Sequence, residues 1–199
     1  MAVQQRRERQ RAQRHQLIVK AARELAETEG WGAVTTRRLA ERIEYSQPVL
    51  YSHFASKGAI VNAVALEGFA ELAVAARAAR KAAAAGGHTE ALLAVARAYA
   101  EFASANPALY DAMFTLATDL DFGSVESPEP LKAAFDELLA VFGPLAGPDG
   151  DPEAFTEVGW SALHGLVTLD RAGRLREGRQ EQRITLLVSR LAAATPPGT

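Results

Sequence analysis

The sequence predicts an all-α protein: a small three-helix unit at the N-terminus, then a larger helical domain, about nine helices in all. Three observations predict it. Of the 199 residues, 48% are hydrophobic, and much of that share is alanine and leucine, which are strong helix formers. Apolar residues recur at helical spacing, not in the alternation of a half-buried strand. Punctuation such as Gly86-Gly87, Asn106-Pro107 and "GPLAGPDGDP" separates these stretches, and no segment reads as a strand or an internal repeat.

Each element follows from local chemistry. Leu17, Ile18, Ala21, Ala22, Leu25 and Ala26 make one apolar stripe and predict a helix over 10–29, ended by Gly30. Before it lies a charged, arginine-rich start with Arg6, Arg7, Arg9, Arg11 and Arg14. Thr35 or Thr36 caps a second, short helix over 36–43, with Leu39, Ala40 and Ile43 facing inward. Glu44 and Tyr45 make a tight turn. Ser46 caps a third short helix ending near Phe54, with Pro48 in its first turn, where a missing N–H breaks no helical bond. Ser56 caps a long helix from Lys57 to about residue 85. Further helices are expected over 89–105, 107–118, 130–142, 152–172 and 179–194. Asn106 caps the first turn of the 107–118 helix and Pro107 opens it. "DLDFGSVESPEP" reads as an acidic exposed loop and "TPPGT" as a frayed tail. The domain boundary is expected between residues 58 and 59, giving units of 1–58 and 59–199.

Composition excludes several classes. With no cysteine there are no disulfides, thiolate metal sites or cysteine nucleophiles, which suits a reducing, cytoplasmic setting. No uninterrupted apolar run reaches the roughly 18–20 residues of a membrane span, and the charged start lacks the apolar core of a secretory signal. No membrane partner is expected. His15, His53, His88 and His164 are scattered, no H-E-x-x-H or glycine-rich phosphate loop occurs, and no metal or cofactor is expected. "GWSAL" at 159–163 lacks the last glycine of a G-x-S-x-G elbow and lies mid-helix, so no enzyme is expected. Net charge is −2, yet residues 1–60 carry eleven Lys and Arg against six Asp and Glu, and the rest eleven against eighteen. A basic front on an acidic body points to a front that meets a polyanion.

The stretch "TRRLAERIEYSQPVLYSHFASKG" at 36–58 fits that partner. Two short helices joined by a tight turn behind a bracing helix form a helix-turn-helix, whose second helix enters the major groove of double-stranded DNA led by its N-terminal residues. Those are Ser46, Gln47, Pro48 and Val49. Gln47 can pair with a base edge, and Pro48 and Val49 offer apolar surface to a thymine methyl. Tyr51, His53, Thr36, Arg37 and Lys57 surround that tip as phosphate binders, the last three at helix N-termini. One such helix reads few bases, so two copies must land one DNA turn apart.

The run "TTRRLAERIEYSQPVLYSHFASKGAIVNAV" closely resembles the DNA-binding domain of the tetracycline-repressor (TetR) family of bacterial transcription regulators. The likeness covers about residues 10–65 and rests on the threonine, the Leu39-Ala40 pair, the short turn, Ser46, and Leu50-Tyr51-x-His53-Phe54-x-x-Lys57. Glu44 departs from it, standing where the family usually has a turn glycine, and the resemblance implies that the arginine-rich start is an arm toward DNA, the alternative being a solvated tail. The resemblance implies a homodimeric, ligand-responsive regulator, expected to be a repressor freed from a palindromic operator by a small, largely apolar effector. "FASANPALYDAMF" and "WSALHGLVTLD" are similar to the WHG-type C-terminal domain of a subset of the family. Tyr99, Phe102, Tyr110, Met113, Phe114, Trp160 and His164 are then expected to line the effector cavity, with His164 as its polar contact. Phe155, Leu163 and Leu166 with Ile184, Leu187, Val188 and Leu191 make two stripes expected at the dimer interface, or in packing within the chain. The alternative function is an architectural DNA-binding protein without an effector.

Overall fold

The computed structural model of the chain describes residues 1–193, the side chains of Ala2 and Val3 aside. The expectation for the "TPPGT" tail lies outside these residues. Among the described residues there are nine α-helices and no strand. They are α1 (Ala2–Glu29), α2 (Thr36–Arg42), α3 (Gln47–Tyr51), α4 (Lys57–Ala82), α5 (His88–Ala105), α6 (Pro107–Phe114), α7 (Glu129–Phe142), α8 (Pro152–Arg171) and α9 (Gln180–Ala193).

Two helices depart from the sequence reading by more than fraying. α1 begins at Ala2, eight residues before the expected start at residue 10, because Gln, Arg and Ala sustain a helix without any core beneath them. α6 stops at Phe114, where Thr115 closes the last turn with a backbone bond to the Asp111 carbonyl. α4 has no apolar run of membrane length. Averaged over 18 residues it is nonetheless apolar enough to span a bilayer, with Glu67 and Glu71 diluted among alanine, valine and leucine. Half of that window is buried inside the protein.

The chain divides into two compact units: residues 1–68 with 106–128, and 69–105 with 129–193 as far as described. The first unit holds α1, α2, α3, the start of α4, and α6. Ile18, Val19, Ala22, Leu25, Leu39, Leu50, Ile60 and Leu109 are its buried centre. Gly68 allows a close approach there, since a Cβ at that position would lie 2.6 Å from the Met113 sulfur.

The second unit packs α5 against α7, α8 and α9 around Leu92, Val95, Val141, Phe142, Leu163, Val167, Ile184 and Val188. Asp151 caps α8 by accepting from the N–H groups of Glu153 and Ala154. One carboxylate lies inside this unit. Glu137 on α7 is 4% exposed and accepts from Arg77 Nε at 2.6 Å and Arg80 Nε at 2.9 Å. Burial pushes its pKa up, but the two guanidiniums outweigh burial and hold it below the ordinary glutamate value.

Candidate nucleic-acid interface

The helix-turn-helix is built by putting apolar side chains beneath and polar ones outside. Leu39, Ala40, Leu50 and Phe54 are buried, whereas Arg37, Ser46, Gln47, Pro48, Tyr51 and Lys57 are exposed and Thr36, Val49 and His53 half-buried. Thr35, not Thr36, caps α2 by accepting from the Arg38 N–H at 3.2 Å. That leaves the Thr36 hydroxyl on the outer face, 3.5 Å from the Tyr51 hydroxyl of α3. Ser46 occupies the N-cap position of α3 without a side-chain bond, so its hydroxyl stays outward while its carbonyl accepts from Val49 and Leu50. Tyr51 is 53% exposed, far more than a packing tyrosine requires.

The turn between the two short helices is closed by backbone bonds from Ile43 N–H to Leu39 O and from Tyr45 N–H to Ala40 O, both 3.0 Å. It forces Glu44 to φ 57°, the one positive φ of a non-glycine residue among those described. The turn therefore has the left-handed geometry that glycine serves in the family it resembles.

Ion pairs hold α2 on α1. Arg38 grips the Glu29 carboxylate through two bonds of 2.8 and 2.7 Å, and Arg42 reaches Glu24 at 3.1 Å. The Arg38 hydrogen bond keeps the Glu29 carboxyl below its ordinary range. Arg37 pairs with Glu41 one turn on, at 2.9 Å, so on free protein this cation is shared with a carboxylate. Lys57 opens α4 and donates one bond, 2.6 Å, to the Trp31 carbonyl, which leaves two of its three ammonium protons for an anion.

Trp31 has a second contact that the sequence did not reveal. Its indole N–H donates to the Ala108 carbonyl of α6 at 2.7 Å. Glu27 of α1 accepts from the N–H groups of Ala108 and Leu109 at 3.0 and 2.9 Å, capping α6 from outside. Asn106 takes the N-cap position without capping; its side-chain Oδ1 accepts from Arg23 at 2.9 Å. Partners about 80 residues apart leave no local signal, so a sequence reading assigns the cap to the nearest Asn.

The seven residues expected at an effector cavity fall in both units. Tyr110, Met113 and Phe114 belong to α6 of the first, and Tyr99, Phe102, Trp160 and His164 to the second. In the second unit the Trp160 indole donates to the Tyr99 hydroxyl at 3.1 Å, and that hydroxyl lies 3.0 Å from His164 Nδ1. Thr168 Oγ1 lies 3.3 Å from His164 Nε2. The Tyr99 hydroxyl thus accepts from Trp160 and hydrogen-bonds Nδ1 of the imidazole, whose other nitrogen faces the Thr168 hydroxyl; in its neutral form the ring carries one proton, on either nitrogen. Burial first, then the Arg171 charge, lower the His164 pKa and favour that neutral form.

The α8 and α9 stripes have two faces. Leu163, Ile184 and Val188 are 0–2% exposed and pack within the chain, while Phe155, Leu166, Leu187 and Leu191 are half-buried. Facing out on the same helices are Val158, Leu169 and Leu186, at 66%, 46% and 55% exposure. A Cβ added to Gly165 would meet nothing within 4 Å. Ser161 of the "GWSAL" run lies mid-helix in α8, away from any strand-to-helix turn.

Residues 18–64 match the model for bacterial regulatory proteins of the tetR family, and residues 92–194 match the tetracyclin repressor-like C-terminal domain. The chain is 28% identical over 179 residues to the uncharacterized HTH-type transcriptional regulator Rv0681 of Mycobacterium tuberculosis, covering 88% of this chain and 78% of that one. It is 46% identical over 48 residues to the tetracycline repressor protein class C of Escherichia coli, 24% of this chain and 22% of the repressor. A solved structure of a protein of unknown function from Rhodococcus sp. RHA1 superposes with a TM-score of 0.74 at 20% identity, covering 92% of this chain and 95% of that one. With the outward polar face of α2 and α3 matched by the N-terminal model and the second match spanning more than half the chain, this protein belongs to the TetR family and is a DNA-binding transcriptional regulator.

Proposed function

We propose that the protein is a homodimeric repressor that binds a palindromic operator and leaves it when a small-molecule effector binds the second unit. The observation that carries the DNA contact is the exposure of Gln47, Pro48 and Tyr51 above buried Leu50 and Leu39. Gln47, Pro48 and Val49 meet base edges; Thr36, Arg37, Ser46, Tyr51, His53 and Lys57 meet phosphates. Two copies associate through the outward stripe of Val158, Ala162, Gly165 and Leu169 on α8 with Leu186 on α9, rimmed by Phe155, Leu166, Leu187 and Leu191. Apolar surface otherwise left in water favours that association.

Tyr99, Phe102, Trp160 and His164 are the effector contacts of the second unit, and Trp160 with His164-Gly165 carries its WHG-type likeness. An effector with a polar group would exchange with the Tyr99–His164 bond, and its apolar part would meet Trp160 and Phe102. Tyr110, Met113 and Phe114 of α6 answer to the same effector through the chain, since α5 runs directly into α6. The bonds of Glu27 and Trp31 then tie the first turn of α6 to α1 and Lys57. An effector that prefers one dimer arrangement over another lowers DNA affinity by that same free-energy difference. Such a protein works in the bacterial cytoplasm and carries out no catalysis.

Fluorescence anisotropy with operator and random duplexes tests the contacts. Tyr51→Phe and Lys57→Ala should weaken binding to both duplexes alike, and Gln47→Ala should relax preference at one base pair per half-site. Unchanged affinity in the first two, with folded protein, would remove the phosphate roles. An architectural protein would bind the same DNA with no small molecule able to release it.

A further inference from the structure

The N-terminal half of α1 carries charge that the helix-turn-helix does not account for. Residues 4–14 are exposed throughout, so no core orders this part of the helix. Its first turn has no acidic residue, and cations near a helix N-terminus oppose the macrodipole. Yet Arg7, Arg11 and Arg14 recur at i, i+4 and i+7 on one side and, with Gln10, line an open cleft of about 400 Å³ whose other wall is Ser52 and His53. No carboxylate answers Arg7, Arg11 or Arg14 among the described residues, whereas the α2 arginines each have one: Arg37 with Glu41, Arg38 with Glu29, Arg42 with Glu24. Arg14 instead lies over the Tyr45 ring, 5.9 Å from its centroid. The field in the cleft is positive enough to register on its neighbour. Burial, then Arg11, His15 and Arg14, lower the His53 pKa.

We infer that this cleft between the helical arm and the end of α3 is a second phosphate site, taking one backbone phosphate of the operator. Three guanidiniums line one cleft with no carboxylate beside them, and they offer the donors a phosphate diester accepts. Tyr51 leaves α3 toward Thr36 on α2, while Ser52 and His53 leave it toward α1. Phosphate contacts on both flanks clamp a five-residue recognition helix that is too short to orient itself. The arm is thus a helical strut beside the recognition helix. This rests on the DNA-contact reading above.

The test compares two double variants with equal loss of charge in the full-length protein. Arg7→Ala/Arg11→Ala empties the cleft; Arg6→Ala/Arg9→Ala removes arginines of the same arm that do not line it. Anisotropy is followed against salt on operator and random duplexes, with circular dichroism as the folding check. Each phosphate contact contributes about 0.9 to the slope of log K on log salt. The cleft variant should therefore shallow the slope by about 1.8 per dimer and weaken both duplexes by one factor. The control should shift it by less than half as much. Equal shifts in both variants would reduce the arm to diffuse attraction and overturn the inference, as would wild-type slope in the cleft variant. Inorganic phosphate that stabilises wild type but not the cleft variant, with DNA affinity unchanged, would place a free anion there and overturn it too. Failure of wild type to bind any DNA at low salt would overturn the DNA-contact reading and this site together, whereas tight wild-type binding with a silent cleft overturns the site alone.

Discussion

Replacing Glu44 by glycine should stabilise the protein. At φ 57° the glutamate Cβ is driven toward the following carbonyl oxygen, which costs an L-residue about 1–2 kcal/mol. Glycine has no Cβ and relieves that cost, but it gains about 0.5–1 kcal/mol of freedom in the unfolded chain. The difference is a net stabilisation of about 0.5–1 kcal/mol. The turn is closed by backbone bonds, so no ladder is lost. For a chain of this length such a gain raises Tm by about 1–4 °C. Glu44→Gln keeps the strained Cβ and removes only the charge, so its Tm should match wild type. Both variants remove a carboxylate from the turn that leads into α3, so both should bind random DNA more tightly, and equally. Thermal melts by circular dichroism with anisotropy on the same samples separate strain from charge. A glycine variant that melts at or below wild type would refute the strain argument.

Other perturbations have equally definite outcomes. Glu137→Ala should cost about 2–3 kcal/mol, because two guanidiniums lose a buried acceptor. Its folded pKa lies below the ordinary value, so this stability is complete above the unfolded glutamate pKa and lost as pH falls through the folded one. Acid titration of the melting point should therefore be shallower in the alanine variant. Trp31→Phe keeps an aromatic side chain and loses the bond to Ala108; it should bind operator like wild type but respond less to effector, as titrations of effector into the complex would read. Gly159→Ala would bring a Cβ to 2.5 Å from the Phe142 ring and should cost about 1–3 kcal/mol in a denaturant melt. Gly165→Ala meets open space within one chain and should favour the helix by about 1 kcal/mol, yet sedimentation should show a weaker dimer. An unchanged dimer would move the interface away from Gly165.

What was legible in the sequence follows from how local each cause is. Periodicity, caps and prolines lie within a few residues of the helix they control, so the nine helices of the described residues and the α2–turn–α3 order could be read directly. The strained turn was legible only through the family resemblance, since Glu44 stands where the family usually has a turn glycine. The caps show the limit: Thr35 and Asp151 cap from beside their helices, whereas Glu27 caps α6 from a distant part of the chain. Apolar stripes say that a face is covered but not by what. Leu163, Ile184 and Val188 belong to the same stripes as Phe155 and Leu187, and only the packing of α5, α8 and α9 tells the inner face from the outer one. The arginines of the arm were visible, but the cleft they form with Ser52 and His53 depended on a helix continuing where no apolar residue requires it.

Selection of bound duplexes from a random pool, followed by anisotropy of the recovered sequence across salt, tests the central claim most directly. The expected result is a palindrome whose half-sites are centred one helical turn, about 34–36 Å, or a multiple of it apart. It should be held by two protomers, with affinity that falls steeply as salt rises. A pool with no enriched sequence, together with no binding at low salt, would contradict the account.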